Sequence, residues 1–330
     1  MQIGQRWWAA AVAVVAASGL LVTGAGPAVS APATRSCPAN PVTTFVPTPG
    51  TDGAFGVTQG PGGTWYAHGA TINRVVSTRT IQYPLPDPDT ADAGWLTSDR
   101  AAGVVWFADR GTGRLGTIDV RGRVREFQIP DGVNGPAVPQ GIVIGPGPHV
   151  WFTDQNNDRL GDLDRATGGF RLYSIPTVGG FPLGLTRGPD HNLWFTERLA
   201  DKVARMTPAG VFTEWDLAAG AFPNRIVTGP DGALWFTELR TSSIARITTS
   251  GHLTELPLAG GPVGITLAPD GHLYVALFLA AQLAQLDSAG HVAHAWDVPG
   301  ALQVAASHGR VWVTDPFGDT VSRVAVACSS

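Results

Sequence analysis

Five carboxylates recur at near-regular intervals along this chain, each closing a short aromatic segment: Asp109, Asp154, Glu197, Glu238 and Asp315. Gathered at one mouth of a fold, such side chains could attract a divalent cation, which takes hard oxygen ligands, or supply a general base. The first repeat carries His68 at the same place, an imidazole able to serve as base or metal ligand. Arg225 interrupts "PNRIVTGP" where comparable segments have glycine; its guanidinium could clamp an anion or pair with Glu238 or Glu197. Each feature also has a plain structural reading. A carboxylate found in five of seven repeats suits the local needs of every repeat better than it suits chemistry, which requires one asymmetric site. For His68 the plain reading is a hydrogen-bonded rim residue, and for Arg225 it is the ion pair.

The elements that carry these side chains repeat. Taking the aromatic after each Gly/Pro/Asp turn as an anchor gives Trp65, Trp106, Trp151, Trp194, Trp235, Tyr274 and Trp312, spaced 38 to 45 residues apart. In the fifth unit, "RIVT" leads through "GPDG" to "ALWFTE", then a loop, "IARIT", a glycine turn and "HLTELPL". These segments are rich in Val, Ile, Thr and aromatics and are bounded by Gly, Pro, Asp and Ser, which marks strands rather than helices. Four short strands per forty residues is the signature of a propeller blade. One such sheet cannot bury both faces, whereas a ring of seven lets each blade cover the next. The expected fold is all-β, a seven-bladed propeller.

Both ends of the chain bear on closure and on compartment. Residues 1–31 hold an early arginine, an apolar run and a small-residue stretch ending Val29-Ser30-Ala31, the layout of a secretory signal. Residues 32–330 then form one exported domain with no further span. After Trp312 only a third strand, "TVSRVAVAC", remains, and "TTFVPTP" at 43–49 resembles the missing fourth. The N-terminal strand is expected to complete the last blade. The only two cysteines, Cys37 and Cys328, would then meet as a disulfide, which an exported chain can keep. With 22 basic and 26 acidic residues and Lys202 as the sole lysine, no basic stripe exists for nucleic acid. A monomer is expected.

The repeat "P-x-G-I-T-x-G-P-D-G-x-L-W-F-T-E … I-A-R-I-T-x-x-G-x-x-T-E", with "GPDGALWFTELRTSSIARITTSGHLTEL" as its fullest copy, resembles virginiamycin B lyase and its relatives, the streptogramin lyases. The resemblance spans all seven units. It implies a magnesium-assisted elimination that opens a cyclic depsipeptide, with histidines at the "x" of "P-x-G-I" in the last two blades. Counted back eleven residues from the anchor, those positions are Val263 and Ala301, and neither accepts a proton. A family carboxylate corresponds to Pro299; only Asp315 keeps the character of its counterpart, as a candidate ligand for magnesium.

The starts of first strands and ends of second strands share one rim, where ligands of such folds sit. Expected there are Phe55, Trp95, Gln140, Leu183, Asn224, Val263 and Ala301, with Arg225, Glu197 and Glu238 beside them. Phe55 and Trp95 could offer an aromatic platform or plug the channel. Two functions follow. One is a secreted propeller that binds a small molecule, peptide or glycan at this rim. The other is a divergent magnesium-dependent carbon–oxygen lyase, or another enzyme, with a relocated site around Asp315 and His68.

Overall fold

The fifth repeat shows how the sequence becomes a blade. Its strands, Pro223–Thr228, Leu234–Glu238, Ser243–Ile247 and Leu253–Pro257, pair antiparallel in chain order through tight turns. The computed structural model describes residues 42–45, 53–307 and 309–326, and every helix or strand among them is a strand. They form seven four-stranded sheets. First strands touch their neighbours around a closed ring, with blade one against blade seven.

The N-terminal strand does complete the last blade. Val42–Phe45 lies along the outer edge of Thr320–Ala325, with Val42 opposite Val324 and Phe45 opposite Val321. Strand pairing between the two ends of the chain closes the ring, which leaves no blade short of an edge strand. The leader and both cysteines, Cys37 and Cys328, lie outside the described residues. Among those described, no helix is long and apolar enough to cross a membrane.

The recurring decamer works as a brick. Its tryptophan lies on the ring presented by the outer strand: Trp194 stacks on Trp215 at 5.1 Å, Trp65 on Tyr83 at 5.6 Å, and Trp312 meets Phe45 at 5.3 Å. Offset ring pairs of this kind add about 0.5–1.5 kcal/mol beyond area burial. The turn aspartate accepts the indole N–H, as Asp231 does from Trp235 Nε1 at 3.0 Å, and also holds Arg246 of the third strand. The phenylalanine faces the opposite side, where the third strand must be small. A Cβ on Gly116 would lie 2.0 Å from the ring of Phe107, and Ala245 sits opposite Phe236. The "A" of "IARI" is thus the space that the "F" of "LWFTE" fills.

The threonine of "WFTE" joins blade to blade. Thr196 Oγ1 accepts the Gly184 N–H at 2.9 Å and donates to the Asn224 carbonyl of the next blade at 2.7 Å. Thr237 donates to Val263 O at 2.6 Å, and Thr314 to Phe55 O at 2.6 Å. That last bond spans blades seven and one, so the ring is sealed near its axis as well as at its outer edge.

Candidate functional site

Each first strand begins with a residue paired to the end of the second strand, then a lead residue, then a slot that is usually glycine. The slot glycines are obligatory for a close approach: a Cβ on Gly56, Gly141, Gly184 or Gly264 would stand 2.2–2.5 Å from the carbonyl oxygen of the next blade's lead residue. Those oxygens belong to Gly94, Leu183, Asn224 and Leu302. Two of the expected lead residues are therefore displaced by one. In blade two Ala93 pairs with Asp109 and Leu96 with Phe107, so Gly94 leads and Trp95 occupies the slot. In blade seven Gln303 pairs with Thr314, so Leu302 leads and Ala301 precedes it. The physical cause is the length of the hairpin segment between the anchor and its cross-strand partner: Trp106 pairs with Thr97 in blade two and Trp312 with Ala305 in blade seven, one residue farther and one nearer along the chain than Trp235 and Val227 in blade five. Counting back from the anchor crosses that segment and inherits its error. The position two before the last lead residue is accordingly Gly300, not Pro299.

The rim carboxylates serve their own blades. Asp109 accepts the Asp92 and Gly111 N–H groups and the Thr112 hydroxyl. Asp154 holds the Val138 N–H, Asn157 and Arg159. Asp315 Oδ1 caps its turn through the Phe317 and Gly318 N–H groups at 2.9 and 2.8 Å. His68 is 4% exposed, with Nε2 2.6 Å from Asp319 Oδ1, a contact that bridges blades one and seven. The structure thus places His68 and Asp315 in neighbouring blades, each with its own partner.

Glu197 and Glu238 are fully buried and turn toward the outer strand of their own blades rather than toward the channel. Neither oxygen of Glu197 meets a donor, and Oε1 of its neighbour Glu214 is likewise orphaned. Burial, followed by the charge of Glu214, pushes the Glu197 carboxyl up to about 8. A proton on Glu197 can be donated to Glu214, satisfying both groups. Glu238 is raised by the same causes, burial and then Glu255, while Thr241 donates to its Oε2 at 2.9 Å.

Arg225 reaches neither Glu197 nor Glu238. Its Nε donates to Gln303 Oε1 at 2.8 Å, and its guanidinium carbon lies 3.4 Å from the centre of the Trp95 ring. All three residues occupy the slot that is glycine in blades one, three, four and six. They come from blades two, five and seven, and side chains so far apart around a ring can meet only across the axis. Trp95 and Gln303 are 2% and 1% exposed, whereas Arg225 as a residue is only partly buried. Desolvation draws the Arg225 pKa down to about 9, still cationic at neutral pH. Lead residues Phe55, Leu183, Val263 and Leu302 share one apolar cluster with Trp95, while Gln140 and Asn224 are the buried amides among them. Gln303 escaped sequence reading; its signal, alignment with Arg225 at the slot, was hidden by the shortened turn of blade seven.

The residues present fit a magnesium ion at the family's position poorly. Mg²⁺ demands near-octahedral oxygen ligation, and here Asp315 offers one oxygen beside the Oδ1 taken by its own turn, while Gly300 has no side chain. Among the described residues no three His, Cys, Asp or Glu side chains converge. Two surface depressions among the described residues, one lined by Arg187, His191 and Thr228 and the other by Asp131, Asn157 and Arg159, include none of the expected rim residues.

Virginiamycin B lyase from Staphylococcus aureus superposes with a TM-score of 0.79 at 27% identity, covering 87% of this chain and 99% of that one. A catalytically inactive histidine-to-alanine variant of the same S. aureus enzyme, solved with quinupristin, gives 0.78 at 27% identity over 87% and 99%. Kuenenia stuttgartiensis hydrazine synthase shares the fold alone, at 15% identity and a TM-score of 0.72 over 84% and 97%. No curated protein matches significantly. The profile described as the Virginiamycin B lyase family matches residues 134–329, more than half of the chain. The protein belongs to the virginiamycin B lyase family.

Proposed function

We propose that this member of the family is an exported binding propeller, which holds a small molecule or peptide at the channel mouth without performing the family's elimination. The observation that carries this reading is the chemistry of the lead residues in the last two blades. Val263 and Leu302, both fully buried, stand where the resemblance implies histidines. A hydrocarbon side chain cannot remove a proton, and general-base catalysis contributes about 10²–10⁴-fold. The turn around Asp315 adds support, since two backbone N–H groups already engage its Oδ1.

The test is direct. Purified protein is incubated with magnesium and a streptogramin B depsipeptide, and ring opening is followed by mass spectrometry. No turnover above the uncatalysed rate is expected, with or without chelator. Chelator-sensitive turnover would overturn the binding reading and restore the lyase. In that case Asp315→Ala and His68→Ala, which lie outside the axial cluster, would locate the relocated site by their effect on rate.

A further inference from the structure

The axial cluster holds a cation and a set of donors with no anion to receive them. Arg225 has its Nε committed to Gln303 and its face to Trp95, and among the described residues no carboxylate lies within ion-pair distance of it. On the two residues that touch it, Trp95 Nε1 and Gln303 Nε2 are buried without a protein partner, and so are both polar atoms of its chain neighbour Asn224; the three residues are 2%, 1% and 0% exposed. Buried polar groups are nearly always satisfied, and those that are not call for an explanation. Four of the seven slots are glycine, packed against the next blade. Filling the other three with Trp, Arg and Gln builds a polar centre where the ring otherwise needs only backbone.

We propose that the channel centre is a receptor for a carboxylate, bound by the free edge of Arg225 with Gln303 and Asn224 as neighbouring donors. A planar guanidinium already fixed by stacking and by Nε presents its remaining N–H groups as a fork matched to a carboxylate. Arg225 is only partly buried as a residue, while the Trp95 ring and Gln303 Oε1 hold its guanidinium in place. The apolar character of Phe55, Leu183, Val263 and Leu302 selects a carboxylate borne on an apolar body over a hydrated inorganic anion. This rests on the binding reading above and supplies its ligand class.

Benzoate is the probe. Titration calorimetry of the full chain with sodium benzoate, at ionic strength held constant with chloride, should give saturable binding at one site. Arg225→Gln should weaken it about ten- to hundredfold, the usual cost of losing hydrogen bonds to a charged group. Arg225→Lys keeps the charge without the fork and should fall between. Should Arg225→Gln fail to fold, Gln303→Glu decides the matter: it places an internal carboxylate against Arg225 and should abolish benzoate binding while raising the melting temperature. The proposal is overturned if wild type gives no saturable heat with benzoate, or if Gln303→Glu binds it as wild type does. A ligand that binds wild type and Gln303→Glu equally would leave the binding reading standing and remove only the carboxylate site. Depsipeptide turnover would do the reverse.

Discussion

Glu197→Gln removes a charge the fold is built to avoid, so its effect on stability must depend on pH. In the folded protein the carboxyl is fully buried, its oxygens lack donors, and its pKa lies near 8 rather than 4.5. The native state therefore holds a proton that the unfolded chain has released between those values. Stability supplied by that proton is complete below about pH 4.5 and is lost as pH rises through about 8. One pKa unit is worth about 1.4 kcal/mol, so a gap of this size sets an upper bound of about 5 kcal/mol between pH 4 and 9. Lys202 is already counted in that value, and rearrangement of Glu214 on ionisation brings the realised effect below the bound. Glutamine has the same shape, no charge, and an N–H to give Glu214 Oε1. Urea denaturation of wild type and variant at half-unit steps from pH 5 to 9 measures the difference. Near pH 5 the two should agree within about 0.5 kcal/mol, and by pH 9 the variant should be more stable by at least about 1.4 kcal/mol. Parallel curves across the whole range would refute the reasoning, because they would show that Glu197 ionises in the folded state as easily as in water.

Other expectations follow from the same contacts. Thr314→Val deletes the hydroxyl that joins blade seven to Phe55 O and to the Gln303 N–H, and should cost about 1–3 kcal/mol in urea midpoint analysis. Gly116→Ala drives a methyl into the Phe107 ring and should cost about 1–3 kcal/mol, with Phe107→Leu in the same chain recovering part of it. Asp231→Ala strands the Trp235 indole N–H and Arg246 together, so the melting temperature should fall and tryptophan emission should change; an unchanged melt would show that the turn acid is dispensable.

Sequence alone determined the architecture, because its causes are local. Trp on one face, Phe on the other, Ala or Gly opposite the Phe and Asp at the turn are relations within forty residues, and each repeats often enough to be read directly. Closure by Val42–Phe45 was legible too, since three strands after Ala301 left one place empty. The candidate site was only partly legible. The carboxylates were found, but whether Glu197 faces a channel or Glu214 depends on which way a buried side chain turns between two strands. The axial meeting of Trp95, Arg225 and Gln303 was beyond reach, for a reason of geometry. These residues are 130 and 78 positions apart, and no local pattern relates them. Only the ring brings blades two, five and seven to one point, and a one-residue change in a turn decides whether a given side chain arrives there. Periodicity tolerates such a change without loss of fold, while the identity of the residue at the axis does not.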